Sequence, residues 1–209
     1  MEQSRGREKA KRYVVLFIIG VFLAFINTVV AEVGDRVEGL SWLTFFAFAA
    51  LVGAILQIIA IIKLRNVNKS YANALWALIL NFLILLTIAI IGVISAIQEG
   101  NASLDRANDW LAVGSDFTEA LIVVYFVYGT NKLAEENDKG MPILTRTIVI
   151  GYMAIFAISL LLKILNMLVP AIGENEVVTA VFGIIIIVLY IVREIAYIFF
   201  LIRALWRVK

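Results

Sequence analysis

The sequence predicts an all-α integral membrane bundle of six transmembrane helices, with both the N and C termini cytoplasmic. Three observations carry that prediction. Apolar residues make up 63% of the 209 and charged residues only 16%, with a mean hydropathy of +0.98, whereas a soluble domain is nearer half apolar and a quarter charged. The apolar residues gather in six stretches, 13–31, 42–62, 72–97, 107–131, 143–169 and 177–202, each near the ~20 residues that carry a helix across a bilayer core. The cationic residues lie almost entirely on one side of that pattern. The N-terminal tail holds Arg5, Arg7, Lys9, Lys11 and Arg12, and the second connection Lys63, Arg65 and Lys69. The fourth connection holds Lys132, Lys139 and Arg146, and the C-terminal tail Arg203, Arg207 and Lys209, which together make 14 of the 18. The first, third and fifth connections hold only Arg36 and Arg106. Lys and Arg accumulate in cytoplasmic loops, so the asymmetry sets orientation as well as span count.

Residues 1–12 read as a basic, loosely ordered cytoplasmic tail, and 13–209 as a single transmembrane domain. Tyr13–Ala31 exceeds the 7–15 apolar residues usual for a signal-peptide core, so it reads as a retained first span. An acidic turn, Glu32 to Glu38, follows. The second span, from Trp42 to Lys63, carries Ala49, Ala50, Gly53 and Ala54 at spacings that let helix backbones approach closely in lipid. The third runs from Tyr71 and Trp76 to Ile97. The fifth opens after Pro142, where a proline is tolerated at a helix start, and Pro170 follows its end. The sixth runs from Val177 past Arg203. On this map Trp42 and Trp110 lie at the outer boundary and Trp76 and Trp206 near the inner one, the headgroup levels that indole rings favour. Similar turns, Glu99-Gly100-Asn101 and Gly173-Glu174-Asn175, and inner loops opening Lys63-Leu64 and Lys132-Leu133, hint at three helical-hairpin repeats.

The fourth span admits two readings. Asp105, Asp109, Asp116 and Glu119 are spaced 4, 7 and 3 apart. On one continuous helix they form an acidic stripe from the outer boundary toward the centre. Gly114-Ser115 followed by Asp116-Phe117-Thr118-Glu119 resembles instead a break and a capping box at a new N-terminus. The break is the expectation preferred here, and it leaves Glu119 in the outer third.

The chemistry is bounded by what is missing. There is no Cys and no His, so thiolate catalysis, zinc-thiolate sites, His-ligated metals and imidazole bases are excluded. No Gly-rich phosphate loop and no paired intramembrane Asp is present. The expectation is therefore a protein that is not an enzyme and takes no cofactor or metal. Nucleic-acid binding has no support, and the basic termini are expected to face anionic lipid headgroups on the cytoplasmic side of the plasma membrane.

The informative residues are polar ones inside the spans. In the sixth, Tyr190, Arg193, Glu194 and Tyr197 follow i, i+3, i+4, i+7 and share one face. Arg193 lies about ten residues, or ~15 Å, before Arg203, near mid-membrane, where a charge is costly and is paired or functional. Its expected partner is Glu119 or Glu194. Gln57 and Asn81 are candidate companions, while Asn27 and Asn166 read as interhelical glue and Lys163 as a side chain snorkelling to the outer interface. Arg193, Glu194, Tyr190, Tyr197, Glu119, Gln57 and Asn81 thus form the candidate ligand-binding or buried polar network. Two functions follow: a small-solute transporter or membrane-embedded solute-binding subunit, or a non-transporting subunit that assembles with or regulates other membrane proteins. A roomy cavity reaching Arg193 and Glu194 favours the first, and a dry, tightly packed ion pair the second.

Overall fold

The computed structural model describes residues 2–34, 47–97, 102–134, 141–169 and 176–207. Among them there are six helices and no strand: α1 (Glu2–Gly34), α2 (Ala47–Leu64), α3 (Lys69–Ile97), α4 (Ala102–Ala134), α5 (Met141–Leu168) and α6 (Glu176–Arg207). Five are long and apolar enough to cross a membrane, with apolar spans at Glu8–Asn27, Lys69–Ser95, Ser103–Ala134, Met141–Leu165 and Val181–Arg207. The apolar part of α2, Leu51–Leu64, is shorter. Trp42, Arg36 and the turns around 99–101, 135–140 and 170–175 lie outside the described residues.

Helices dominate because a backbone in lipid must satisfy its own hydrogen bonds. Two expectations are corrected. Residues read as a loosely ordered tail are the first turns of α1, which is helical from Glu2. There Arg12 pairs with Glu8 at 3.1 Å, one turn away, and Ala10 is buried against the core. Helix α4 runs unbroken through Gly114 for 33 residues. A mid-helix glycine costs ~1 kcal/mol, whereas a break would expose backbone groups at several kcal/mol each in hydrocarbon. The residues that resembled a cap are used in tertiary contacts instead. The Ser115 hydroxyl donates to Asn81 Oδ1 on α3 at 2.7 Å. Thr118 Oγ1 lies 2.8 Å from the same oxygen and 2.9 Å from the Ser115 carbonyl, and its single proton serves one of them at a time.

The helices pack most closely as consecutive pairs, α1 with α2, α3 with α4 and α5 with α6. Opposed residues give the register of α3 and α4: Tyr71 meets Thr130, Asn81 meets Thr118 and Ser95 meets Asp105, so the two run antiparallel. At the start of α3, Asn68 Oδ1 caps the helix by accepting the Tyr71 N–H at 3.2 Å. Asn68 Nδ2 also donates to the Gly129 carbonyl at 3.1 Å. This stitch holds the α2–α3 turn on α4. A Cβ at Gly129 would lie 2.7–2.9 Å from the ring of Tyr71, which is fully buried. Gly129→Ala is therefore expected to cost about 1–3 kcal/mol by overpacking, read as a lower unfolding midpoint in detergent. An unchanged midpoint would mean that the tyrosine has room to retreat.

The pair α1–α2 meets still more closely. A Cβ at Gly20 would stand 2.6 Å from the Gly53 carbonyl oxygen, and one at Gly53 2.6 Å from that of Gly20. Gly53, one of the small residues of α2, is thus spent within the chain, whereas Ala54 is exposed.

The core is unevenly placed. Every buried apolar side chain, from Val14, Phe17, Ile61 and Tyr71 to Phe126, Met141, Phe200 and Leu201, lies in the half of its helix nearer the basic ends or within a turn of the middle. Phe17 stacks on Phe126 with ring centroids 3.6 Å apart, and Tyr71 meets the same ring edge-on at 5.1 Å. Cavities break this packing at mid-bundle, one extending toward the basic ends as far as Arg65 and two smaller ones toward the acidic ends. Trp76 and Trp206 near the basic ends, and Trp110 toward the acidic one, are exposed at the rims.

Candidate functional site

Asn81, Glu119 and Arg193 each lie within a turn of the middle of their helix, so the polar residues converge near mid-bundle. In α6 the stripe predicted from spacing faces inward. Glu194 is 5% exposed. Arg193 grips Glu194 Oε1 through two nitrogens, at 3.0 Å from one terminal nitrogen and 3.2 Å from Nε. The expected partner of Arg193 is therefore Glu194, its sequence neighbour, not Glu119. A helical side chain leans back toward the preceding turn, and this sets the guanidinium 5.0 Å from the Tyr190 ring. The Tyr152 ring of α5 also lies close, at 4.8 Å. Arg193 is thus in contact with two aromatic rings, each attractive to a cation, and with one carboxylate. Tyr152 and Tyr197 meet edge to face at 6.2 Å. Both of their hydroxyls are buried without a hydrogen-bond partner among the described residues.

Two cavities meet at this cluster. The larger, about 620 Å³, is walled by α1, α2, α3, α4 and α6 and reached by Gln57, Asn81, Glu119, Tyr190, Glu194 and Tyr197. The smaller, about 190 Å³, is bounded by Arg193, Asp116, Lys163 and Phe156. Glu119 and Tyr190 line both and form the partition. A third cavity of about 320 Å³, toward the acidic ends, shares Lys163 with the second and is bordered by Asp109. From Asp109 inward the acidic stripe of α4 therefore runs along a chain of cavities, which only the unbroken helix permits, while Asp105 accepts from Ser95.

Lys163 departs from its expectation. It does not reach for the interface but forms an ion pair with Asp116 across α4 and α5. Glu119, by contrast, accepts no hydrogen bond and joins no ion pair among the described residues, and its side chain is open to the cavities. The structure thus gathers all seven candidates around the two adjoining cavities. Asn27 lines neither, and the Asn166 side chain lies outside the description. Tyr152 was missed from sequence. It is one aromatic in an apolar helix, and nothing in its own spacing marks it as the second ring in contact with the arginine. Among the described residues, no cluster of His, Cys, Asp or Glu could hold a metal ion.

Set against known protein families, curated proteins and solved structures, the chain matches none.

Proposed function

We propose that the chain is a multi-pass plasma-membrane protein, both termini cytoplasmic, that binds a small solute at mid-membrane and carries it across. One observation carries this reading: a cavity of about 620 Å³ reaches Glu194, Glu119 and the tyrosines, in the size range of small-molecule sites. A structural ion pair alone would be enclosed by packing. The helix ends rich in Lys and Arg support the orientation and a contact with anionic headgroups. Pairing of the helices in sequence order supports a bundle of three hairpin repeats. Two cavities strung between Glu119 and Asp109 support access from the non-cytoplasmic side, while the cavity of about 620 Å³ extends the other way as far as Arg65.

The absence of cysteine makes the test clean, since a single introduced thiol is the only one in the chain. Cysteines at Gln57 and Asn81 are expected to react with a small polar thiol reagent far faster than one at lipid-facing Leu83→Cys or Leu86→Cys. In proteoliposomes, solute-evoked currents across a panel of amines, amino acids and carboxylates are expected from the native chain. Arg193→Met combined with Glu194→Gln should abolish them while the protein stays folded. Equal labelling rates together with no current from any solute would defeat the reading. The alternative, a non-transporting subunit that assembles with other membrane proteins, draws on α5. There Gly151 and Ala154 face outward, and nothing among the described residues lies within 4 Å of a Cβ built on Gly151.

A further inference from the structure

Resting on the reading of the large cavity as a solute site, we infer that its ligand is an amphipathic monocation, an apolar or aromatic body carrying a single positive charge. The wall chemistry requires the body. Phe17, Phe25, Phe82, Leu75 and Leu85 line most of the space, and only a few polar groups interrupt them. A small hydrated ion would leave these surfaces unsatisfied, whereas an apolar body removes them from water.

The charge follows from counting what is already matched. Glu194 is held by Arg193, and Asp116 by Lys163. Glu119 is left facing the cavity with no hydrogen bond and no contact ion pair among the described residues, feeling Arg193 and Lys163 only at longer range. These five groups sum to one uncompensated negative charge, in a region where an unpaired charge is expensive. A bound cation supplies the missing charge. A second observation points to a ligand independently. The Tyr197 side chain is 1% exposed and lines the same cavity, and its buried hydroxyl has no hydrogen-bond partner among the described residues. An unsatisfied hydroxyl keeps acceptor capacity that the N–H of an amine head can meet. The ring of Phe25, stacked on that of Tyr190 with centroids 6.4 Å apart, borders the same cavity as Glu119 and offers an aromatic surface to a cation.

The route is consistent with the same chemistry. Ile58, Ile62, Ile79 and Phe82 line the cavity and are also exposed on the outside of the bundle. The cavity therefore opens sideways between α2 and α3, where an amphipath dissolved in the bilayer would meet it. One feature argues the other way: Arg65 lies at the basic end of the same cavity and would suit an anionic amphipath, such as a lipid, inserted from that end.

The probes are tetraphenylphosphonium and tetraphenylborate, which share size and shape and differ in charge. Saturable binding to the full chain in nanodiscs is measured against empty nanodiscs, for the native protein, Glu119→Gln and the cavity-filling Ala54→Trp. The phosphonium is expected to bind at least about tenfold more tightly than the borate, and to lose about tenfold or more in Glu119→Gln. Ala54→Trp should remove binding of either ion. Preference for the borate, or phosphonium binding indifferent to Glu119→Gln, overturns the cation assignment and leaves the solute site standing. No saturable binding of either ion, with slow labelling at cysteines replacing Gln57 and Asn81, overturns both. The native protein's preference between the two ions needs no variant, so the conclusion survives if Glu119→Gln folds poorly.

Discussion

Replacing Arg193 alone with methionine is expected to destabilise the bundle by about 3–5 kcal/mol, the usual penalty for stripping one partner from a buried ion pair. Glu194, 5% exposed, would keep its place in the interior without the two nitrogens that now satisfy it. The rings of Tyr152 and Tyr190 would lose the cation beside them. The measurement is the unfolding midpoint in a fixed detergent, taken as a double-mutant cycle with Glu194→Gln. Glu194→Gln alone should also be harmful, because it leaves the guanidinium unmatched. Adding Arg193→Met to it should restore most of the loss, since neutral groups of similar volume often replace a buried pair at little penalty. The cycle separates stability from function: the double variant is expected to be stable and inactive. Additive single effects, with no recovery in the double variant, would show that the pair is not energetically coupled.

The second large effect is expected at the crossing of α1 and α2. Gly20→Ala places a methyl 2.6 Å from the Gly53 carbonyl oxygen, a backbone atom that no rotamer change can move aside. The helices must separate, and the close contacts around Leu23, Ala24 and Gln57 go with them. A loss near the upper end of the overpacking range, about 3 kcal/mol, is expected. Gly53→Ala should match it, because the geometry is reciprocal. At Gly151 and Gly183, where a Cβ meets nothing among the described residues within 4 Å, the same substitution should leave the midpoint unchanged or slightly raised. A drop there as large as at Gly20 would point to a general helix effect and not to this crossing.

What could be read from the chain alone was whatever depends on local periodicity and on the bilayer. The apolar runs give the helices, and the inward face of α6 follows from the 3–4 spacing of Tyr190, Arg193, Glu194 and Tyr197. What could not be read depends on facing elements. Gly114-Ser115 looks like a break until Asn81 is known to stand opposite and receive the hydroxyls. Lys163 looks like a snorkelling residue until Asp116 is placed across from it. Gly20 and Ala24 form a small-residue pair one turn apart, but their partner Gly53 is 33 positions from Gly20 in sequence, and only the facing helix turns the pair into a crossing. Tyr152 joins the site only because α5 pairs with α6.

The one-sided core has a consequence for how the molecule opens. Backbone amides of α1, α4 and α6 near Phe17, Phe126 and Phe200 are enclosed by the densest packing, so their hydrogen exchange should require near-global unfolding. Amides toward the opposite ends of the same helices have few buried side chains over them and should exchange by local fraying. One continuous helix such as α4 therefore spans two stability regimes, with Glu119 at the boundary between them. Ligand capture beside Glu119 would be recorded as slowed exchange toward the Asp105 end of α4, leaving the exchange of the Thr130 end as it was.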